Sequence, residues 1–343
     1  MYKILVTGAA GFIGGYLVEE LLKQGHLIIG IDNYSKYGRL IKSFDNNRNY
    51  KFIKGDVKNT SLMIDLLKDC DYLIAGAAKI GGIGYFHQYA YDLLAENEKI
   101  IASTFDAAIK VYKNYKLKKI VVISSSMVFE SSKIFPTPEE EIVHSPPPKS
   151  TYGFQKLACE YFAKGAWEQY KLPYTIIRPF NCVGVGESMA LGGKKIKSGN
   201  IKMAMSHVVP DLVYKILKGQ DPVHILGKGN QIRHYTYGGD IAKGIALATF
   251  SAKALNEDFN ISTAESTTVL NLAKLIWGKI NSSKKFSFVS DAPFIYDVQK
   301  RIPDVTKAKK ILGFEATTSL DEMLDEVIKW VKTQTKIKSM KIH

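Results

Sequence analysis

The chain has 343 residues, of which 46% are hydrophobic and 23% charged, and this balance excludes a disordered, collagen-like or coiled-coil protein. Lysine and arginine number 47 against 33 acidic residues, so the formal net charge is +14. Such a basic excess suits an anionic partner such as a phosphorylated small molecule, or simply keeps the surface hydrated. The basic residues are dispersed along the chain and form no long arm, which disfavours nucleic acid as the partner.

The cysteines and the N-terminus bear on the compartment. Cys70, Cys159 and Cys182 are odd in number and widely spaced, so neither a disulfide framework nor a zinc site is predicted. The first apolar run holds about four residues before a glycine, which is too short for a signal peptide or a membrane span. We therefore expect a cytoplasmic protein with no metal and no membrane partner.

Short β-branched runs alternate with longer amphipathic stretches through the first 180 residues. Strands are predicted at 3–7, 27–32, 50–54, 71–75, 119–124 and 174–178. Helices are predicted between them at 14–24, 61–68, 93–115 and 151–170. Because the strands are continuously apolar, the pattern predicts an α/β fold of the Rossmann type, a doubly wound parallel sheet with helices on both faces.

The composition changes near residue 180. Glycines are frequent over 182–205, which predicts a loop. Further helices are predicted after it at 208–218, 240–249, 268–280, 306–312 and 319–333. We therefore expect a first domain over 1–180, to which the chain returns around 232–262, and a smaller C-terminal α/β domain that occupies most of 181–343.

A glycine-rich turn joins the first predicted strand to the first predicted helix. Gly8, Gly11 and Gly14 allow the backbone to approach a pyrophosphate, and the helix N-terminus supplies free N–H groups. Asp32 ends the next strand, where a carboxylate accepts hydrogen bonds from an adenosine ribose and repels a 2′-phosphate. The arrangement therefore predicts NAD, rather than NADP, as the cofactor.

The spacing of these glycines resembles that of the extended short-chain dehydrogenase/reductase family, which includes the nucleotide-sugar epimerases and dehydratases. More of the family's pattern recurs in order between residues 2 and 335. Segment 55–57 is similar to the residues that flank the adenine, and segment 75–79 to the loop under the nicotinamide ribose. The cofactor-binding residues that the resemblance implies are Gly8, Gly11, Phe12, Ile13, Gly14, Asp32, Asn33, Asp56, Val57, Ala77, Lys79, Asn97, Tyr152 and Lys156.

Tyr152 and Lys156 lie four residues apart at the start of a predicted helix, so they share one of its faces. A nearby ammonium favours the phenolate and lowers the pKa of a tyrosine. The tyrosine then acts as a base for a sugar hydroxyl while hydride leaves the same carbon. Ser125 matches the family's catalytic serine or threonine, which would hydrogen-bond the reacting oxygen. The catalytic residues expected are therefore Ser125, Tyr152 and Lys156.

The two positions after Ser125 narrow the reaction. The family's 4,6-dehydratases have Asp-Glu where this chain has Ser126 and Met127, its decarboxylases have a Glu in place of Met127, and its 3,5-epimerising members have a Cys there. A thioether serves poorly as either acid or base. What remains is oxidation and reduction at one sugar carbon, with the tyrosine as the base. We therefore expect an NAD-dependent 4-epimerase that forms a transient 4-keto sugar. The alternatives are a nucleotide-sugar dehydrogenase or reductase, a 4,6-dehydratase and, outside the enzymes, a dinucleotide-sensing scaffold.

Later segments resemble the family's nucleotide-sugar site. Asn181, Arg233 and Arg301 match residues that contact the diphosphate, and the planar fork of arginine pairs well with phosphate oxygens. Segment 78–83 and the segment around His207 resemble parts of the GDP-fucose synthases, which favours GDP as the nucleotide. His207 is expected either to contact phosphate or sugar or to cap a helix. The substrate-binding residues implied are Lys79, Ser125, Ser126, Met127, Asn181, His207, Arg233 and Arg301.

Two predicted helices, 93–115 and 151–170, carry apolar residues beyond a single buried stripe. These residues are Ile100, Ile101, Phe105, Ala108 and Val111 on the first helix and Leu157, Tyr161, Phe162 and Trp167 on the second. The family resemblance implies that the two helices form a four-helix bundle with a second copy. We therefore expect a homodimer.

Overall fold

The computed structural model describes residues 1–80, 88–187, 197–198, 201–202, 207–293 and 297–340. The strands are β1 (Lys3–Thr7), β2 (Leu27–Asp32), β3 (Tyr50–Lys54), β4 (Tyr72–Ala75), β5 (Lys119–Ile123), β6 (Tyr174–Pro179), β7 (Cys182–Val183), β8 (Lys197–Ser198), β9 (Ile201–Lys202), β10 (Val223–Leu226), β11 (Ile232–Arg233), β12 (Thr236–Tyr237), β13 (Glu257–Ile261), β14 (Thr267–Thr268) and β15 (Phe288–Asp291).

The helices in the same residues are α1 (Phe12–Lys23), α2 (Thr60–Leu67), α3 (Ala90–Asn114), α4 (Thr151–Tyr170), α5 (Val208–Leu217), α6 (Gly238–Phe250), α7 (Val269–Ile280), α8 (Thr306–Leu312) and α9 (Leu320–Met340). The part of the chain that the structure describes contains no helix with the length and apolar character needed to cross a membrane.

A seven-stranded parallel sheet forms the centre of the molecule, in the order β13-β6-β5-β4-β1-β2-β3. Strands β4, β5 and β6 are buried along their whole length, because their apolar side chains are covered on both faces of the sheet. The prediction of a Rossmann-type doubly wound sheet is therefore confirmed. All the central strands point the same way, so their carboxyl ends meet at one edge, where ligands bind in such folds.

Helices cover the two faces of the sheet separately. On one face, α1 packs against α6, and their apolar side chains join those of β1 and β6 in one core. On the other face, α3 packs against α2 and α4 over a second core. The strand β13 follows α6 and pairs with β6, so residues 257–261 complete the sheet from late in the chain.

A third core lies outside the sheet, among α5, α7 and α9 and the parallel pair β10–β15. The sequence pattern does not reveal β10 or β15. It also predicted only a loop over 182–205, whereas this segment contains β7, which pairs with β12, and the antiparallel pair β8–β9. These strands have two residues each, which is too short to leave a periodic apolar pattern.

The prediction of which apolar residues on α3 and α4 face a second copy was partly wrong. Ile101, Phe105, Ala108 and Val111 face the sheet and are buried in the subunit's own core. The large apolar side chains that remain exposed on α4 are Phe154 and Tyr161. The periodic apolar residues of α3 pack in the core of the subunit. The period gives no sign of a further contact on the outward face of the helix.

Candidate active site

A cavity of about 790 Å³ opens at the carboxyl ends of the sheet strands and extends to α5 and β10. Every site residue predicted from the sequence lines this cavity except Asn97. The predicted segment 78–83 lies partly outside the described residues, which end at 80 before resuming at 88. The cavity therefore gathers the glycine turn, the serine-rich strand end, the start of α4 and both arginines.

The glycine turn is built so that only glycine fits at two of its positions. Gly8 has a φ of +73°, and a Cβ there would lie 3.0 Å from the backbone of Ala77. A Cβ on Gly14 would lie 2.1 Å from the carbonyl oxygen of Gly8. The turn is closed by the N–H of Gly11, which donates to the Gly8 carbonyl at 3.0 Å. This close packing leaves the N-terminus of α1 open to the cavity, as a bound pyrophosphate requires.

Asp32 faces the same turn from the end of β2. Its carboxylate accepts a hydrogen bond from the N–H of Ala10 at 3.2 Å and another from the N–H of Tyr34 at 2.7 Å. Burial raises the pKa of Asp32, and the two backbone N–H groups oppose that rise. The carboxylate is thus fixed beside the turn, where a ribose with free hydroxyls fits and a 2′-phosphate would meet its charge.

Asn97 does not line the cavity but holds one of its walls. Its side-chain oxygen accepts from the N–H of Lys79 at 2.6 Å, and its amide donates to the Lys79 carbonyl at 2.9 Å. Asn97 is 1% exposed. These contacts use both ends of the amide on the backbone of Lys79, so in this structure Asn97 is a positioning residue.

Ser125, Tyr152 and Lys156 come together around the end of β5. Each is less than a tenth exposed, and all three line the cavity. The Ser125 hydroxyl accepts from the N–H of Met127 at 3.2 Å and caps the short 3₁₀ helix Ser126–Phe129. Lys156 donates from Nζ to the carbonyl of Ile123 at 2.7 Å, which ties α4 to the end of β5, two residues before Ser125.

The first turn of α4, which carries Tyr152, is held by a double cap. The Ser150 hydroxyl accepts from the N–H of Gly153 at 3.0 Å. The carboxylate of Glu130 in turn accepts from both the N–H and the O–H of Ser150. Since Glu130 follows the 3₁₀ helix directly, this contact links the position of Tyr152 to that of Ser125.

A buried charge network, which the sequence pattern does not reveal, lies behind the predicted catalytic residues. Glu160 and Arg178 are both 0% exposed and form two hydrogen bonds, at 2.8 and 2.7 Å. Arg178 also contacts Asp258 at 2.7 Å, and the hydroxyl of Ser124 donates to Glu160. Burial alone would lower the pKa of Arg178, but the two carboxylates outweigh it and raise that pKa. The network therefore fixes the residue next to Ser125.

The two predicted phosphate-binding arginines differ in their contacts. Arg233 donates to the carbonyls of Ile232 at 2.8 Å and Val298 at 2.6 Å, so its guanidinium is already engaged. Arg301 donates to Asn181 at 3.5 Å, and its Nε has no hydrogen-bond partner among the described residues. Burial, and then the charge of Arg233, lower the pKa of Arg301 to about 9. Such an incompletely paired cation in the cavity attracts an anion.

His207 is paired with a buried carboxylate. Its Nδ1 lies 2.5 Å from Oε1 of Glu187, and its backbone N–H donates to the same oxygen at 2.9 Å. His207 is the N-cap residue of α5, but among the described residues its side chain makes no capping hydrogen bond to that helix. Burial would raise the pKa of Glu187. The contacts with His207, and then the charge of Lys36, lower this pKa by more than burial raises it, so the net pKa lies below its usual value.

Comparison with known proteins agrees with this geometry. A solved structure of UDP-glucose 4-epimerase from Thermotoga maritima, with UDP-glucose, is 30% identical, with a TM-score of 0.81 over 97% of this chain and 99% of that one. The UDP-glucuronic acid 4-epimerase of Bacillus cereus, in complex with UDP-glucuronic acid and NAD, is 26% identical, with a TM-score of 0.81 and the same coverage. The UDP-N-acetyl-alpha-D-glucosaminuronate decarboxylase of Bacillus cytotoxicus is 26% identical over 96% of this chain and 98% of its own.

The family itself is identified by a model that matches residues 4–262, described as the NAD dependent epimerase/dehydratase family. The glycine turn that a Cβ would fill and the fixed carboxylate of Asp32 fit NAD. The protein therefore belongs to the NAD-dependent epimerase/dehydratase family of nucleotide-sugar enzymes, with NAD as its cofactor.

Proposed function

We propose that the protein is a UDP-sugar 4-epimerase that works through a transient 4-keto sugar. The observation that carries this proposal is that Met127 lines the cavity beside Tyr152, in an apolar cluster that Leu93 completes from behind. The thioether of Met127 occupies the position at which relatives that decarboxylate, dehydrate or 3,5-epimerise need an acid or a base. The two solved epimerases named above were determined with UDP-sugars, which supports UDP over GDP as the nucleotide.

In this proposal each residue has a defined role. NAD, held by the glycine turn and Asp32, would supply the hydride acceptor and donor for the sugar C4. Tyr152 takes the proton of the C4 hydroxyl, and Ser125 donates a hydrogen bond to the same oxygen. Lys156 holds α4 against β5 through its contact with Ile123. Arg301 contacts the diphosphate, because it is the less engaged of the two cavity arginines.

The product of the reaction tests the proposal. The purified protein is incubated with UDP-glucose, UDP-N-acetylglucosamine, UDP-glucuronic acid and, as a nucleotide comparison, GDP-mannose. We expect a UDP-sugar of unchanged mass with inverted C4 stereochemistry by NMR, and no accumulation of NADH. Net NADH formation would instead show a dehydrogenase, loss of water a dehydratase and loss of carbon dioxide a decarboxylase. Turnover of GDP-mannose alone would refute the choice of UDP.

Cofactor selectivity is expected to depend on Asp32. The double variant Asp32→Ala with Asn33→Arg removes the carboxylate that opposes a 2′-phosphate and adds a phosphate-binding cation. Titration calorimetry should show NAD binding more tightly than NADP to the native protein and a relaxed preference in the variant. The exposed Asp65→Ala is the matched control and should keep the native preference. Tighter binding of NADP to the native protein would contradict the assignment.

We also propose a homodimer through the outward faces of α3 and α4. A groove of about 600 Å³ lies between these helices, and Phe154 and Tyr161 beside it are 48% and 65% exposed. Large exposed apolar side chains on one face mark an interaction surface. Light scattering should give a dimer mass at micromolar concentration and a monomer for Tyr161→Glu. Leu275→Glu, on the remote helix α7, should remain dimeric, and a monomeric native protein would refute the proposal.

We propose that the protein is cytoplasmic. Cys70 and Cys159 are buried, Cys182 is partly buried, and all three are free thiols. Free cysteines are typical of reducing compartments. Cell fractionation tests this placement.

A further inference from the structure

Tyr16 joins α1 to segment 182–187, which contains β7, and the proposed reaction does not use it. Its hydroxyl accepts a hydrogen bond from the N–H of Val185 at 2.7 Å. Its ring lies between Gly184 and Gly238, since a Cβ on either glycine would come within 2.5 Å of a Tyr16 side-chain atom. The side chain is therefore held twice, through its ring by close packing and through its oxygen by the backbone of the segment.

On one side of this contact lies the cofactor site. Tyr16 comes two residues after Gly14, in the helix whose N-terminus opens on the cavity. Its ring also packs edge to face against Phe12, with the ring centroids 5.8 Å apart, and Phe12 lines the cavity with Gly11 and Gly14. A pyrophosphate that binds to the free N–H groups of this turn restrains α1, and Tyr16 with it.

On the other side lies the substrate end of the cavity. Asn181, directly before the segment, lines the cavity and accepts from Arg301 at 3.5 Å. Glu187, at the end of the segment, accepts from the backbone N–H of His207 at 2.9 Å and pairs with its ring. His207 lines the cavity as well. The position of segment 182–187 therefore affects the position of polar groups that face a nucleotide sugar.

The two attachments of Tyr16 can be separated. Burial raises the pKa of Tyr16, and the nearby phenol of Tyr237 raises that pKa further, so the hydroxyl stays neutral at physiological pH. Removing only this hydroxyl would take the acceptor away from the N–H of Val185. The ring would keep its packing between the two glycines, so a loss caused by the oxygen is distinct from a loss of packing.

We propose that Tyr16 is a positioning residue that couples the cofactor to the nucleotide sugar, because its hydroxyl holds segment 182–187 against α1. A ligand that restrains one of two connected elements lowers the ordering cost that a second ligand pays at the other. Each ligand should then tighten the binding of the other by the same factor, about 5–150-fold for typical coupled sites. The inference requires an NAD-dependent nucleotide-sugar enzyme, and neither UDP nor 4-epimerisation in particular.

Calorimetric titration of NAD measures this coupling without turnover. UDP and GDP serve as probes, and the one that binds the native protein more tightly is used throughout. Saturation with this nucleotide should tighten NAD binding at least about fivefold in the native protein and less than about twofold in Tyr16→Phe. Tyr115→Phe, at an exposed tyrosine after α3, is the matched control and should show native coupling.

A second variant and a second measurement test the contact itself. Gly184→Ala keeps the Tyr16 hydroxyl but places a methyl group against it, so it should also lose the coupling. Hydrogen–deuterium exchange followed by mass spectrometry should show faster amide exchange over 182–187 in Tyr16→Phe, with no change in β5. Native coupling in either folded variant, or faster exchange throughout the chain, would overturn the inference.

The outcomes distinguish this inference from the proposed function. A native protein in which neither nucleotide tightens NAD binding would refute the inference, even if it epimerises a UDP-sugar. Coupling to GDP but not to UDP, or coupling without any epimerised product, would refute the proposed function and leave the inference standing.

Discussion

Replacing Tyr152 with phenylalanine should lower kcat by roughly 10²–10⁴-fold, the range typical for the loss of one acid or base group. The substitution removes only the phenolic oxygen. The ring keeps its contacts with Met127 and Leu93, and Lys156 keeps its hydrogen bond to Ile123. NAD affinity should therefore change little. Steady-state rates with the best UDP-sugar, together with calorimetric titration of NAD, measure the two effects separately.

Tyr170→Phe, at the other end of the same helix, is the matched control and should retain native kcat. A Tyr152→Phe variant with native kcat would exclude Tyr152 as the base. A variant that lost NAD binding and turnover together would instead show that the hydroxyl serves mainly to hold the cofactor.

Replacing Glu160 with alanine should lower the free energy of unfolding by about 3–5 kcal/mol, because it leaves a buried guanidinium without its main partner. Arg178 would keep Asp258 but lose both of its hydrogen bonds to Glu160. Ser124 would also lose its acceptor. Denaturant unfolding followed by circular dichroism gives the change in free energy.

Glu168→Ala is the control on the same helix, since Glu168 is exposed and should change stability by less than about 0.5 kcal/mol. A loss of less than about 1 kcal/mol in Glu160→Ala would show that water reaches the network and screens it. The effect is expected in the protein both with and without NAD, because the four residues of the network, Ser124, Glu160, Arg178 and Asp258, lie outside the glycine turn.

The strands and helices before residue 180 were predictable because their apolar runs are long and continuous. The ends were less so: α1 begins at Phe12, inside the glycine segment, and α3 begins at Ala90. A period describes the body of a helix, whereas its start depends on local capping. The short strands after residue 180 leave no comparable pattern.

The candidate site was accessible from sequence where a motif is contiguous, as for the glycine turn and for Tyr152 with Lys156. Contacts between distant residues were not. Nothing in the sequence shows that the amide of Asn97 is used on the backbone of Lys79, or that Arg233 is engaged by the carbonyl of Val298. The partnership of Glu187 with His207 spans 20 residues and depends on how the chain folds back.

The late arrival of β13 has a consequence for how the chain can be divided. Residues 257–261 form the edge of the sheet beside β6, and α6, which precedes them, covers α1. A fragment that stops near residue 180 would leave the outer edge of β6 unpaired and an apolar face of α1 in water, which favours aggregation. During synthesis this edge closes only after most of the chain has emerged, through contacts distant in sequence, which slow folding. We therefore expect the two halves of the chain to fold as one unit, so that a cut where the composition changes yields no stable half.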